Sequence, residues 1–191
     1  MDITLNHITK QFDQKLIFRD LNATFLENRI NCLMGASGIG KTTIVNIIME
    51  LIQPDTGEVL GIKGKQIAAV FQEDRLIEHW NALKNIKLVC GKEVAEDTIR
   101  LELMRLGIED GEDKPVSNFS GGMRRRVAIV RAMLAKSDLV ILDEPFRGLD
   151  DALKIQVVDY IKQSTKGKTV IVVTHEIDDV DLLGANLIKL D

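Results

Sequence analysis

The chain has 191 residues and a mass of 21.4 kDa, which at about 150 residues per domain is one domain able to bury a core without disulfides or a structural metal. Hydrophobic residues at 45% and charged residues at 28% exclude a disordered, collagen-like or low-complexity class. Twenty-five Lys and Arg against 29 Asp and Glu give a net charge of -4, so no basic excess drives binding to nucleic acid, and no nucleic-acid partner is expected.

The first thirty residues alternate as strands do, over Ile3-Leu5 and Leu21 to Phe25, around the turn-rich Asp13-Gln14-Lys15, and predict a small antiparallel sheet. Ile30 to Met34 is a short apolar strand leading into a glycine-rich loop, and Thr42 to Leu51 reads as a helix ending before Pro54. A strand-rich piece covers Gly57 to Phe71, and the spacing of Leu83, Ile86, Ile99, Leu103 and Leu106 is helical. After the breaker-rich Gly111 to Ser117, a helix is expected over Gly122 to Lys136, then a strand at Leu139 to Leu142, a helix at Asp151 to Gln163 and a strand at Thr169 to Thr174. Alternating strands and helices imply a parallel sheet with covered faces. No apolar run reaches the 18 residues of a membrane span, and Met1 to Lys10 lacks the pattern of a secretion signal, so a cytoplasmic location is expected. Cys32 and Cys90 show no metal or redox spacing and read as buried hydrophobes.

Gly35-Ala36-Ser37-Gly38-Ile39-Gly40-Lys41-Thr42, followed by Thr43, fits the phosphate-loop pattern G-x-x-x-x-G-K-[ST]. Glycines there let backbone N–H groups converge on phosphate oxygens, the lysine then reaches the terminal phosphates, and the hydroxyl of Thr42 can ligate magnesium. The loop follows an expected strand and opens a helix, whose N-terminus favours anions. Leu139 to Leu142 then ends in Asp143-Glu144, two acids at the C-terminal end of a buried strand: Asp143 suits Mg²⁺ binding and Glu144 the activation of water.

Phe119-Ser120-Gly121-Gly122-Met123 resembles the Leu-Ser-Gly-Gly-Gln signature of ATP-binding cassette (ABC) ATPases and lies upstream of Asp143-Glu144, as in that family. Gln72 matches the Q-loop glutamine, Gly148-Leu149-Asp150 the D-loop and His175 the switch histidine, all in the family's order over essentially the whole chain. The resemblance implies a P-loop NTPase of the α/β class, with a RecA-like parallel-sheet core, an N-terminal antiparallel β-subdomain and a helical subdomain at about residues 73–135 of a single domain, 1–191. It implies Mg²⁺-dependent ATP hydrolysis by a head-to-tail homodimer whose Ser120, Gly121 and Gly122 complete the opposite site. Gln72 would contact metal or water, Asp150 would cross the interface, His175 would hold the γ-phosphate and Glu144, and Phe12 would stack on adenine. The implied partners are an integral membrane permease and, indirectly, an extracytoplasmic substrate-binding protein, with the chain peripheral on the inner face of the cell membrane.

Each residue also has a plainer reading: Ser120 and Asp150 as helix N-caps, His175 as a packing histidine, Gln72 as an exposed amide and Phe12 as a core aromatic. Val70 to Leu76 and Phe119 to Val127 look like the cassettes of nitrate, sulfonate and taurine importers. The chain stops sixteen residues after His175, which predicts short or missing closing helices and leaves open what supports the His175 loop. Two rivals stand beside the importer reading: a soluble ABC ATPase without a transport role, and a cassette that binds nucleotide with little turnover.

Overall fold

In the computed structural model, which describes residues 1–109 and 111–190, two long strands come first: β1 (Ile3–Phe12) and β2 (Lys15–Phe25). They pair antiparallel through the tight turn at Asp13, and β4 (Thr56–Leu60) joins the other edge of β1 to complete a three-stranded sheet of order β2-β1-β4. Both strands extend well past the segments expected from sequence. Register shifts after Leu5 and Ile8 break the alternation that a single pleat would show, which hides the middle of the hairpin from a pattern of period two.

The second sheet is parallel and holds β3 (Ile30–Met34), β5 (Ile67–Val70), β6 (Leu139–Asp143), β7 (Thr169–Thr174) and β8 (Asn186–Lys189), in the order β5-β6-β7-β3-β8. Its central strands β6 and β7 are buried along their whole length, so they read as continuous apolar runs. Their side chains divide by parity. Val140, Leu142, Val170 and Val172 enter a core shared with the helices α2 (Ala82–Cys90), α3 (Glu96–Arg105), α4 (Gly121–Leu134) and α5 (Asp151–Ser164). Leu139, Ile141, Ile171 and Val173 enter a second core with α1 (Lys41–Ile48) and the antiparallel sheet. The result is three layers, and Cys32 and Cys90 are buried within the first core as small apolar groups.

The C-terminal segment holds a closing helix as short as expected, and a strand that the sequence pattern did not indicate. Beyond His175 the chain forms a short helix, α6 (Ile177–Leu183), and the strand β8, which pairs in parallel with β3. Leu190 donates its N–H to the carbonyl of Met34, 2.8 Å away, at the mouth of the phosphate loop. A side chain on Gly35 would press on Leu190 at 3.1 Å, so this last segment packs directly on the loop. No helix among the described residues is long and apolar enough to cross a membrane.

Asn31, fully buried at the start of β3, ties these strands together. Its amide donates to the carbonyls of Leu26, Arg29 and Val170 and accepts from the N–H of Leu26 and the amide of Asn186. Asn31→Ala leaves several of these groups dry and unpaired and should lower stability by about 2–3 kcal/mol in urea unfolding.

Candidate functional site

Five strands of one direction place their C-terminal ends along one rim, and the register fixes which residues meet there. Met34 lies opposite Thr174, and Asp143 opposite Val173, so the chain leaves β3, β6 and β7 at neighbouring points with Gly35, Glu144 and His175 as the next residues. Phosphate loop, acid pair and histidine therefore arrive together although they are far apart in sequence.

The loop bends through left-handed residues, Gly38 at φ 78° and Gly40 at φ 110°. At Gly40 a Cβ would sit 2.3 Å from the ring of Phe18, so β2 presses on the loop and only glycine fits. Around Gly38 there is open space, which leaves the backbone accessible to a ligand. Helix α1 begins at Lys41, and its first N–H groups point into a cleft lined by Ile17, Gly38, Thr42, Thr43, Asp143 and Glu144. Lys41 is 7% exposed and folds back, its ammonium 2.8 Å from the carbonyl of Gly35 and 3.0 Å from that of Ala36. A phosphate entering the cleft would take over this cation.

At the floor, the hydroxyl of Thr42 donates to Asp143 across 3.2 Å. Burial pushes the Asp143 carboxyl above its ordinary range; the hydrogen bond from Thr42 opposes this, the adjacent Glu144 adds to it, and Arg125 and Lys41 oppose it. A hydroxyl and a carboxylate side by side in a dry pocket suit a hard divalent cation that takes its remaining ligands from phosphate and water. Among the described residues no group of three His, Cys, Asp or Glu offers a fuller protein cage.

Glu144 adopts φ 48°, left-handed for a residue with a side chain, and its N–H bonds to the carbonyl of Val173. That turn carries its carboxylate to 3.2 Å from Nδ1 of His175. Gln72, just after β5, lines the same cleft as Lys41, Glu144 and His175, a space of about 710 Å³. Strain at Glu144 is held by its neighbours, as is common where a carboxylate has to be aimed.

The signature-like segment lies elsewhere. Ser120, Gly121, Gly122 and Asp150 line a neighbouring cleft that shares Gln72 with the first. Ser120 caps α4 by accepting from the N–H of Met123, and Asp150 caps α5 by accepting from that of Leu153, so the plain reading of each holds locally. Phe12, 41% exposed at the end of β1, lines neither cleft; the amino group of Lys10 lies 5.1 Å from its ring centroid.

Two supports for this site are invisible in the motifs. Lys154 bonds Glu176 at 2.6 Å and Asp179 at 2.5 Å, and Asp179 in turn accepts from the hydroxyl of Thr174. These bonds bracket His175 on both sides. Burial disfavours the charge of Lys154, but its hydrogen bonds to Asp179 and Glu176 outweigh that and hold its pKa above the usual lysine range. These bonds are what supports the His175 loop, a point that the sequence left open. The second support is Arg125, whose guanidinium reaches back to the carbonyls of Phe71 and Gln72. The run Arg124-Arg125-Arg126 was the available signal for it.

A carboxyl with a raised folded-state pKa favours the fold while protonated, below the ordinary carboxylate range, and costs stability once pH rises through its raised value. At pH 7, without nucleotide or divalent cation, Asp143→Asn should therefore raise the melting temperature, by about 2–4 °C for each kcal/mol relieved. Calorimetry of the two proteins checks this.

Residues 18–147 match the ABC transporter family. The spermidine/putrescine import ATP-binding protein of Spiroplasma citri is 33% identical over 99% of this chain, which spans 59% of that relative's length. The taurine import ATP-binding protein of Pseudomonas aeruginosa is 32% identical over 99% of this chain and 78% of its own length. An aliphatic sulfonates import ATP-binding protein of Rhodococcus jostii is 30% identical over 99% of the chain and 71% of its own length.

Proposed function

Since the chain belongs to the ABC transporter family, we propose that it is the ATP-hydrolysing subunit of an importer, acting as a head-to-tail homodimer beneath a separate membrane permease. The observation that carries this reading is the convergence of Lys41, Asp143, Glu144, Gln72 and His175 on one rim of the parallel sheet. Residues 73–135, which include α2, α3 and α4, are read as the helical subdomain within a single cassette of residues 1–191. The import names of its relatives, for spermidine/putrescine, taurine and aliphatic sulfonates, support the direction of transport, with an extracytoplasmic binding protein as an indirect partner. A place on the inner face of the membrane follows from pairing with a permease.

In this mechanism Lys41 leaves the carbonyls of Gly35 and Ala36 to meet the phosphates, joined by the N–H groups of the loop from Ser37 through Thr43. Thr42, Asp143 and Gln72 would hold Mg²⁺, which supplies charge neutralisation at the phosphates. Glu144 takes a proton from water as the water oxygen bonds to the γ-phosphorus and the bond to the β-phosphate oxygen breaks, leaving ADP with the electron pair. His175, 3.2 Å from Glu144, orients that carboxylate and senses the γ-phosphate. Ser120, Gly121 and Gly122 have no nucleotide of their own to touch. At the N-terminus of α4 they offer anion-binding N–H groups to the γ-phosphate of a second copy, with Asp150 crossing the same interface. Phe12 is assigned to adenine through its exposed ring.

Glu144→Gln should keep ATP affinity while slowing steady-state phosphate release by roughly 10²- to 10⁴-fold, the usual contribution of a general base. Normal turnover in that variant removes Glu144 from the role. Lys41→Ala should abolish tight ATP binding in equilibrium dialysis. Unchanged affinity there would contradict the phosphate-loop assignment and with it the whole reading.

A further inference from the structure

Three consecutive arginines follow the signature-like segment, and each does something different. Arg124 donates to the carbonyl of Phe119, just before the cap of α4. Arg126 bonds the carbonyls of Gly122 and Leu106, tying α4 to itself and to the end of α3. Arg125 alone leaves the helical layer, and its side chain, 7% exposed, reaches the loop that follows β5. Its Nη1 donates to the carbonyl of Phe71 at 2.6 Å and its Nη2 to that of Gln72 at 2.5 Å, a two-pronged grip on successive peptide groups. Its Nε lies 3.2 Å from the carboxylate of Asp74. One and a half turns along α4, Arg131 repeats the grip, donating to the carbonyls of Asp74 and Arg75 at 2.8 Å each.

Two arginines of one helix thus hold four backbone carbonyls of this loop, those of Phe71, Gln72, Asp74 and Arg75. The loop carries Gln72, which lines the nucleotide cleft, and the helix begins at Ser120, which lines the neighbouring one. Only a rigid connection needs so many charge-assisted bonds to main-chain oxygens, because side-chain pairs alone would leave the peptide groups free to shift.

We infer that Arg125 is a positioning residue that makes the Gln72 loop and the N-terminus of α4 a single lever, coupling the two nucleotide sites of the dimer. The inference rests on the composite-site reading above. In that dimer Ser120 meets the partner's nucleotide while Gln72 meets the chain's own. A movement of α4 that brings Ser120 onto the partner's γ-phosphate therefore carries Gln72 with it, and neither site assembles alone. Arginine suits this task because its planar fork spans two adjacent carbonyls; a glutamine is too short and has one donor group, and a lysine is a single point charge.

The test uses the full chain, with Mg²⁺-ATPase rates measured against ATP concentration. The wild type should show a Hill coefficient approaching 2, the number of coupled sites. Arg125→Gln should bring it toward 1 and lower kcat by roughly 10- to 100-fold, the cost of ångström-scale misplacement, with the affinity of single-site ATP binding unchanged. Arg125→Lys should recover part of both. Hydrogen exchange at residues 71–76 should quicken in Arg125→Gln even without nucleotide. A folded Arg125→Gln protein that keeps the wild-type Hill coefficient and kcat overturns the inference, and so does one that merely melts earlier with unchanged cooperativity. Unchanged exchange at 71–76 contradicts the clamp itself. A wild type that hydrolyses ATP with a Hill coefficient of 1 contradicts the composite-site reading, and the coupling falls with it.

Discussion

The hydrogen-bonded register of three parallel strands is the constraint on which the rest of this molecule depends. β3, β7 and β6 run side by side with Met34 opposite Thr174 and Asp143 opposite Val173. That alignment does two jobs at once. Inside the sheet it sends alternate side chains of β6 and β7 into two separate cores, and at the rim it delivers the phosphate loop, the acid pair and His175 to one place. Because side chains alternate with a period of two, a slip of one residue would turn the apolar sets to the wrong faces while misaligning the site. Packing energy thus enforces the geometry of the chemistry.

Around that rim the chain accepts unfavourable local states. Asp143 is buried beside another carboxylate, Glu144 is held in a left-handed conformation, and Lys41 is folded onto carbonyls of its own loop. A phosphate at Lys41 and a hard cation at Asp143 would offset two of these costs. Polar networks keep the arrangement from relaxing: Thr42 on Asp143, Lys154 with Asp179 around His175, and Arg125 on the carbonyls before and at Gln72. Stability is sacrificed at the site and recovered in the two cores, the usual division in a protein built to act on a ligand.

Much of this was legible in the sequence, and the parts that were not share a cause. β7 spans the segment expected for it, Thr169–Thr174 around the apolar Val170 to Val173, because burial on both faces leaves no competing pattern. The phosphate loop, Asp143-Glu144 and the Ser120-Gly121-Gly122 cap are contiguous motifs, and their placement at strand ends and helix starts followed from local chemistry. The short elements α6 and β8 escaped notice because acidic Asp178, Asp179 and Asp181 mask the helix, and an edge strand of four half-exposed residues has almost no period to read. The supports escaped for another reason: Arg125 acts on Gln72 across 53 positions and Lys154 on Glu176 across 22. Only the fold shows those neighbours, and only the fold shows that Ser120 opens on a different cleft from Lys41.

In the proposed dimer a second copy supplies the Ser120 segment, because within one chain that segment and the phosphate loop line neighbouring clefts that share Gln72. Sedimentation equilibrium with and without ATP, in chelator so that the nucleotide is not turned over, tests this most directly. The account predicts a mass near 21.4 kDa without nucleotide and about twice that with it, the shift being lost when Ser120 is replaced by a bulky residue. A protein that binds ATP and stays at its monomer mass would contradict it.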